Sequence, residues 1–248
     1  MSEAHQAATK VLNLGCGYQT SSRCINIDWS VPIRLKGSRI GRRVAPLVLD
    51  GERRRAYDAI AGEVMRHDLR KGIPFPDQSV DAVYHSHLLE HLDRSAVPGF
   101  LAEVRRVLRP GGVHRIVVPD LERDARDYLA SLDAAVAGSA TATAHEEHVR
   151  VLIEQMVRRE AYWTAQRGPN RRRFENFVLG DARKRGETHQ WMWDRVSLPA
   201  ELLAAGFTDP RVLSNTESQI PDWPGFGLDE TPTGEEYKPG SLYVEARA

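Results

Sequence analysis

Short apolar runs bounded by turn residues alternate with stretches of helical periodicity, the pattern of a parallel sheet with crossover helices. Strands are predicted at Lys10–Leu14, Cys24–Ile27, Val64–His67, Ala82–His85, Val113–Val118, Pro210–Ser214 and Ser241–Ala246. The clearest helix, Arg94–Leu108, puts Phe100, Leu101, Val104, Val107 and Leu108 on one face and Glu103, Arg105 and Arg106 on the other. Pro110-Gly111-Gly112 ends it, because proline cannot continue a helix and glycine tolerates the turn that follows. Leu198–Ala205, closed by Gly206, reads as the last crossover helix. Two stretches fall outside the alternation. Ser30–Glu63 is polar and rich in arginine, and Leu121–Arg195 holds expected helices at Glu122–Val136 and Ala144–Gln166 followed by the basic Arg171–Arg173. Insertions after strand ends tend to cover the ligand crevice of an open sheet, so residues 30–63 and 121–195 are expected to form a substrate lid on one domain spanning 1–248. For any single arginine, plain surface decoration is the simpler account.

Composition narrows the partners. A chain of 248 residues with 41% hydrophobic side chains suits one large α/β domain. Its formal net charge is zero, so no global field steers it to nucleic acid or an anionic membrane. Cys16 and Cys24 are the only cysteines, too few for a disulfide framework. No apolar run approaches a membrane span, and the first ten residues lack a basic start and an apolar stretch. A cytoplasmic protein is expected, with neither nucleic acid nor membrane as partner; a homodimer is compatible with this reading.

Candidate chemistry begins at the first strand. Gly15-Cys16-Gly17 follows it directly, where two glycines let the backbone approach a ligand without a Cβ in the way. Asp28 ends the second run, a position from which a carboxylate accepts both hydroxyls of a ribose. Asp68-Leu69 after the third run pairs a carboxylate suited to an adenine amino group with an apolar side chain suited to stacking. Only Gly15 to Arg23 separates the first two strands, too little for a full crossover helix. A ligand with a pyrophosphate needs the start of that helix; one without phosphate does not.

The phrases "LNLGCG", "INID", "HDLRKGIPFPDQSVDAVYHSHLLEHL", "EVRRVLRPGG" and "RIVVPDLE" occur in order across about Val11 to Glu122. Together they closely resemble class I S-adenosylmethionine-dependent methyltransferases of the small-molecule (type 11) group, with fainter echoes in "LLAAGF" and "GSLYVEARA". The resemblance implies an α/β, Rossmann-like fold: a mostly parallel seven-stranded sheet with an antiparallel last strand, here with a shortened first crossover and helical lid insertions. It implies S-adenosyl-L-methionine as cofactor. Leu14, Gly15, Cys16 and Gly17 would pass its methionine part, Asp28 would hold the ribose, Asp68 and Leu69 the adenine, and Ser86 would lie beneath the sulfonium.

Methyl transfer is a displacement on an electrophile that is already cationic, so in-line positioning supplies most of the acceleration. A hydroxyl acceptor also benefits from a base, and "HSHLLEH" offers His85, His87 and His91 near the expected methyl position. His87 and His91 are the base candidates, against hydrogen-bonded loop histidines as the plainer account. With Glu90 the three histidines raise the thought of a metal; their spacing fits no common zinc pattern and the transfer does not need one, so none is expected. Asp120 is a candidate substrate contact or the N-cap of the following helix. In "THQWMWDR", Trp191 and Trp193 are candidate walls of an acceptor pocket with His189 at the rim, although aromatics at such spacing are more often core. Arg171–Arg173 are candidate partners for an anionic substrate group or a solvated loop. The expected reaction is transfer to an oxygen or nitrogen of a small molecule such as a sugar, natural product or metabolite. A nicotinamide oxidoreductase would need the missing third glycine and helix start. A nucleic-acid methyltransferase and a non-catalytic accessory protein remain as alternatives, the first opposed by the neutral charge.

Overall fold

The structure is a computed structural model and describes residues 9–49, 51–60, 63–156 and 189–248. Seven strands form one sheet: β1 (Val11–Leu14), β2 (Cys24–Asp28), β3 (Val64–Arg66), β4 (Val80–Ser86), β5 (Leu108–Pro119), β6 (Thr208–Leu213) and β7 (Ser241–Arg247). Their order is β3-β2-β1-β4-β5-β7-β6, with β7 antiparallel to both β5 and β6 and the other pairs parallel. All seven expected strands are present, with bounds shifted by a few residues. The largest shift is in β5, which starts at Leu108 and takes in the Pro110-Gly111-Gly112 stretch as a register irregularity opposite Val80–Ala82.

Described helices are α1 (Val31–Lys36), α2 (Arg39–Val48), α3 (Gly51–Ala59), α4 (Val97–Val107), α5 (Leu121–Val136), α6 (Ala142–Met156) and α7 (Ser197–Ala204). Helix α4 begins at Val97 rather than Arg94, because a turn in which Ala96 N–H donates to the Asp93 carbonyl precedes it. The expected helix at Ala144–Gln166 is described as far as Met156; its remainder and Arg171–Arg173 lie outside the described residues. The basic insertion Ser30–Glu63 holds α1 to α3. These helices bury a small core of their own, Leu35, Ala45, Leu49 and Tyr57, and the Lys36 ammonium donates to the carbonyls of Tyr57 and Ile60.

The sheet has two differently covered faces. Leu12, Leu14, Val83, Ile116 and Val118 face Leu101, Val104 and Val107 of α4 and Leu198 and Leu202 of α7 in the larger core. The alternate positions Val11, Ala82, Tyr84, Val113 and Val117 face the opposite way. There the expected shortening of the first crossover has a visible counterpart: no helix joins β1 to β2, and the β6–β7 connection covers this face with Ile220, Trp223, Phe226 and Leu228.

Polar contacts fix that connection. Gln19 Nε2 donates to the Gly227 carbonyl at 3.0 Å, and Arg23 pairs with Asp222 at 2.6 Å while lying over the Phe226 ring. Arg115 of β5, fully buried, spends all five N–H groups: Nε on Asp229, Nη1 on Glu245 and the Glu217 carbonyl, Nη2 on the Ser214 and Asn215 carbonyls. Tyr84 and Trp223 also donate to Asp229, at 2.6 and 2.8 Å. A buried guanidinium is tolerated when every donor is matched, and here the matching ties β4, β5 and β7 to the connection.

Candidate active site

In an open parallel sheet the ligand crevice lies beyond the carboxyl ends of the strands where the order reverses, here between β1 and β4. At the end of β1, Gly15 N–H and Cys16 N–H both donate to the Ile27 carbonyl, at 2.8 and 3.2 Å. Gly15 and Gly17 have φ of 62° and 54°, left-handed backbone that glycine adopts without penalty. A Cβ on Gly15 would come within 2.9 Å of Leu88, whereas above Gly17 the space is open. Cys16 is buried beside Asp28, and burial pushes its thiol well above the ordinary range. Leu14 is fully buried in the larger core.

Asp28 closes this turn. Its Oδ2 accepts from Gly17 N–H at 2.9 Å and its Oδ1 from Ser30 N–H at 2.6 Å, so both oxygens are oriented and each keeps acceptor capacity. Asp68 is the N-cap of a short turn at Leu69–Lys71 and is gripped in fork fashion by Arg70, whose Nε and Nη2 donate at 2.8 and 2.7 Å. Hydrogen bonds from the Arg70 guanidinium hold its carboxyl below the usual range. Leu69 packs against the larger core from its edge.

Across the crevice, Ser86 ends β4 opposite Val117 of β5. His87 then turns out of the strand with φ of 50°, a conformation that costs a non-glycine residue and is retained where surroundings enforce it. Its N–H donates to the Val117 carbonyl, and its Nε2 lies 3.0 Å from Ser241 Oγ, which itself donates to the Lys238 carbonyl. That chain assigns the proton to Nε2 and leaves Nδ1 as an acceptor, 3.3 Å from Glu90 Oε1. Burial, then the neighbouring charges of Lys238, His189 and His91, hold the His87 imidazole far below its ordinary value.

Glu90 sits in the turn Leu89–His91, fully buried, and neither carboxylate oxygen has a hydrogen-bond partner among the described residues. Burial raises its carboxyl to about 7. His91 Nε2 lies 3.9 Å from Glu90 Oε1, and the His189 ring meets His91 edge to face with centroids 4.9 Å apart. The backbone brings these together, since the Glu90 carbonyl accepts from Gln190 N–H at 2.6 Å. The structure thus gathers His87, Glu90, His91 and His189 into one polar cluster, with His87, Glu90 and His91 flanking the Leu88 that touches the glycine turn. His85, by contrast, is enclosed in the core against His114 and Phe100.

The other candidates separate. Asp120 caps α5, accepting from Glu122 N–H at 3.0 Å, the N-cap alternative. Trp191 is 46% exposed beneath the Arg94 guanidinium, while Trp193 is fully buried in the larger core and bridges to Asp120. The pocket-wall expectation for Trp193 is therefore corrected: strand alternation would put both tryptophans on one face, but residues 189–192 are not a strand, and the chain turns Trp193 into the core while Trp191 stays outside. Lys238 and Ser241 are additions whose roles no motif announced: Lys238 arrives on the irregular β6–β7 connection and Ser241 opens β7. A shallow cavity of about 650 Å³ opens at the opposite edge of the sheet, lined by Lys10, Asp81, Arg109 and Arg247 among others. Its one named carboxylate, Asp81, is held by Arg109 and by Lys10 backbone N–H, and Arg247 is engaged by Gln219 and the Gly111 carbonyl, so the carboxyl edge remains the better site.

Residues 12–116 match the family model described as Methyltransferase domain (Methyltransf_11). That stretch runs from β1 into β5 and takes in the glycine turn, Asp28, Asp68 and the turn that carries Glu90 and His91. A probable S-adenosylmethionine-dependent methyltransferase of Mycolicibacterium smegmatis is 34% identical over 122 residues, covering 47% of this chain and 41% of that protein. A demethylmenaquinone methyltransferase of Tropheryma whipplei is 31% identical over 122 residues, covering 48% and 45%. The chain thus spans less than half the length of these relatives. A solved S-adenosylmethionine-dependent methyltransferase of Mesorhizobium loti aligns with TM-score 0.42 and 15% identity, covering 97% of this chain and 91% of that one. Among the described residues no helix is long and apolar enough to cross a membrane.

S-adenosyl-L-methionine is the cofactor of such a domain. The residues present fit it: the methyltransferase domain's glycine turn has open space over Gly17, and beside it stands a carboxylate that its own backbone donors already orient.

Proposed function

We propose that this chain transfers a methyl group from S-adenosylmethionine to an oxygen or nitrogen of a small-molecule acceptor. The observation that carries the reading is the adjacency of two half-sites: the Gly15–Gly17 turn with Asp28, and the His87, Glu90, His91 and His189 cluster, joined through Leu88. When bound, the cofactor supplies a methyl group on a sulfonium, which needs no further activation.

The chain's own part is to hold, align and dry the reactants. Gly15–Gly17 bring the backbone close to the methionine part, and Asp28 accepts the ribose hydroxyls with its remaining lone pairs. Leu69 offers an apolar surface to the adenine, with the Asp68 carboxylate, held by Arg70, beside it. Ser86 lies under the methyl position. His91 and His189, half-buried at the rim, receive the acceptor's reacting group, while His87 positions Glu90 beneath them. Trp191 and helices α1 to α3, α5 and α6 form the lid that selects the acceptor. The relative named demethylmenaquinone methyltransferase supports a small-molecule acceptor.

Calorimetry with S-adenosylhomocysteine tests the cofactor half. Binding is expected, and Asp28→Ala should weaken it by roughly tenfold or more, the worth of one hydrogen bond to a charged group. Binding of NAD in its place would overturn the reading.

A further inference from the structure

Glu90, His91 and His189 lie together although nearly a hundred residues separate the two histidines in sequence, which is why no ligand spacing is visible in the chain. Each offers one ligand atom, and these atoms all lie within 4.8 Å of one another. Ligands held about 2 Å from a tetrahedral zinc sit roughly 3.3 Å apart, so small side-chain rotations close the set. Glu90 supplies an independent sign: a fully buried carboxylate with no hydrogen-bond partner on either oxygen, turned towards the imidazoles. Buried charge in proteins is paired or bound to metal.

We propose that Glu90, His91 and His189 bind one divalent transition cation, zinc(II) by ligand chemistry, at the acceptor end of the cleft. Two imidazoles and one carboxylate suit zinc and its neighbours better than calcium or magnesium, which favour sets built from oxygen. His91 and His189 are only half-buried, so a fourth position faces the crevice. His87 stands behind the carboxylate, its Nε2–H fixed on Ser241 and its Nδ1 3.3 Å from Glu90 Oε1. Resting on the methyltransferase reading, the cation's use is to bind the acceptor hydroxyl and ease loss of its proton to water. The oxygen then forms the new C–O bond as the S–CH3 bond breaks and the sulfur keeps that electron pair.

The test is Zn2+ titrated by calorimetry into the chelator-treated full chain, with thermal unfolding and the Co2+ absorption spectrum as second readouts. One-to-one binding, a raised unfolding temperature and a four-coordinate cobalt spectrum without thiolate bands are expected. His91→Ala and His189→Ala should each weaken binding on the order of 100-fold or more, beyond the usual effect of removing an outer partner. Cys24→Ser should leave it unchanged, and His189→Asn serves if an alanine variant does not fold. No one-to-one binding would overturn the inference and leave Glu90 balanced by Lys238, whose charge it feels. Binding unchanged in both histidine variants, or thiolate bands in the cobalt spectrum, would overturn it equally. S-adenosylhomocysteine binding in the presence of chelator tests the methyltransferase reading separately.

Discussion

His91 and Arg115 mark the extremes of what a single side chain does here. His91 stands at the crevice rim, away from the glycine turn's own hydrogen bonds, so His91→Ala should lower kcat at least tenfold while leaving the dissociation constant of S-adenosylhomocysteine within about threefold. Equal losses in turnover and cofactor affinity would place it with the cofactor instead. Arg115 is the opposite case, buried with every donor matched. Arg115→Met removes one charge and leaves the Asp229 and Glu245 carboxylates buried without it, a loss of about 3–5 kcal/mol in urea unfolding. A loss below about 1 kcal/mol would mean that water or a rearranged connection replaces the guanidinium.

At the scale of elements, β4 and β5 bury a pair of histidines between them. His85 and His114 face each other across the strands with Nε2 atoms 3.0 Å apart, flanked by Phe100 and Phe207, and neither Nδ1 has a hydrogen-bond partner among the described residues. Burial holds His85 down to about 3 and His114 well below its ordinary value. In the unfolded chain both take up protons near pH 6.5. Between roughly pH 6.5 and 3 the unfolded state therefore binds more protons, and stability falls as pH falls. Glu90, raised in the folded state, acts in the reverse sense between its ordinary range and about 7. Comparing the chain with a His85→Leu, His114→Leu double variant isolates the histidines: the unfolding midpoint between pH 7 and pH 5 should drop less in the variant. An identical drop in both would refute the assignment.

The same scale explains what was legible in the chain. Strands announced themselves because β1, β4, β5 and β7 are buried on both faces and read as apolar runs. Helices α1 to α3 did not, since a core as small as Leu35, Ala45, Leu49 and Tyr57 leaves too few apolar positions to set a period among arginines. Trp193 misled because its polar neighbours suggested a rim, whereas the bridge to Asp120 turns it inward.

For the whole molecule, the glycine turn and Asp28 were readable because their partners are near in sequence, Gly17 with Asp28 and Gly15 with Ile27. The grouping of Glu90 with His189, and of His87 with Ser241 and Lys238, was not, since it depends on tertiary contacts between distant segments.

The β6–β7 connection standing in for a crossover helix also has a temporal consequence. A local helix would form early, but Gln19 meets Gly227 across 208 residues and Arg23 meets Asp222 across 199. Contacts so distant demand loop closure before they return any free energy, so they form late. On dilution from urea, helical circular dichroism should recover before the fluorescence of Trp223 and before S-adenosylhomocysteine binding. Simultaneous recovery would show that the turn is organised without its cover. The cofactor cleft is thus finished by a distant stretch of chain, and competence to bind trails the sheet in time.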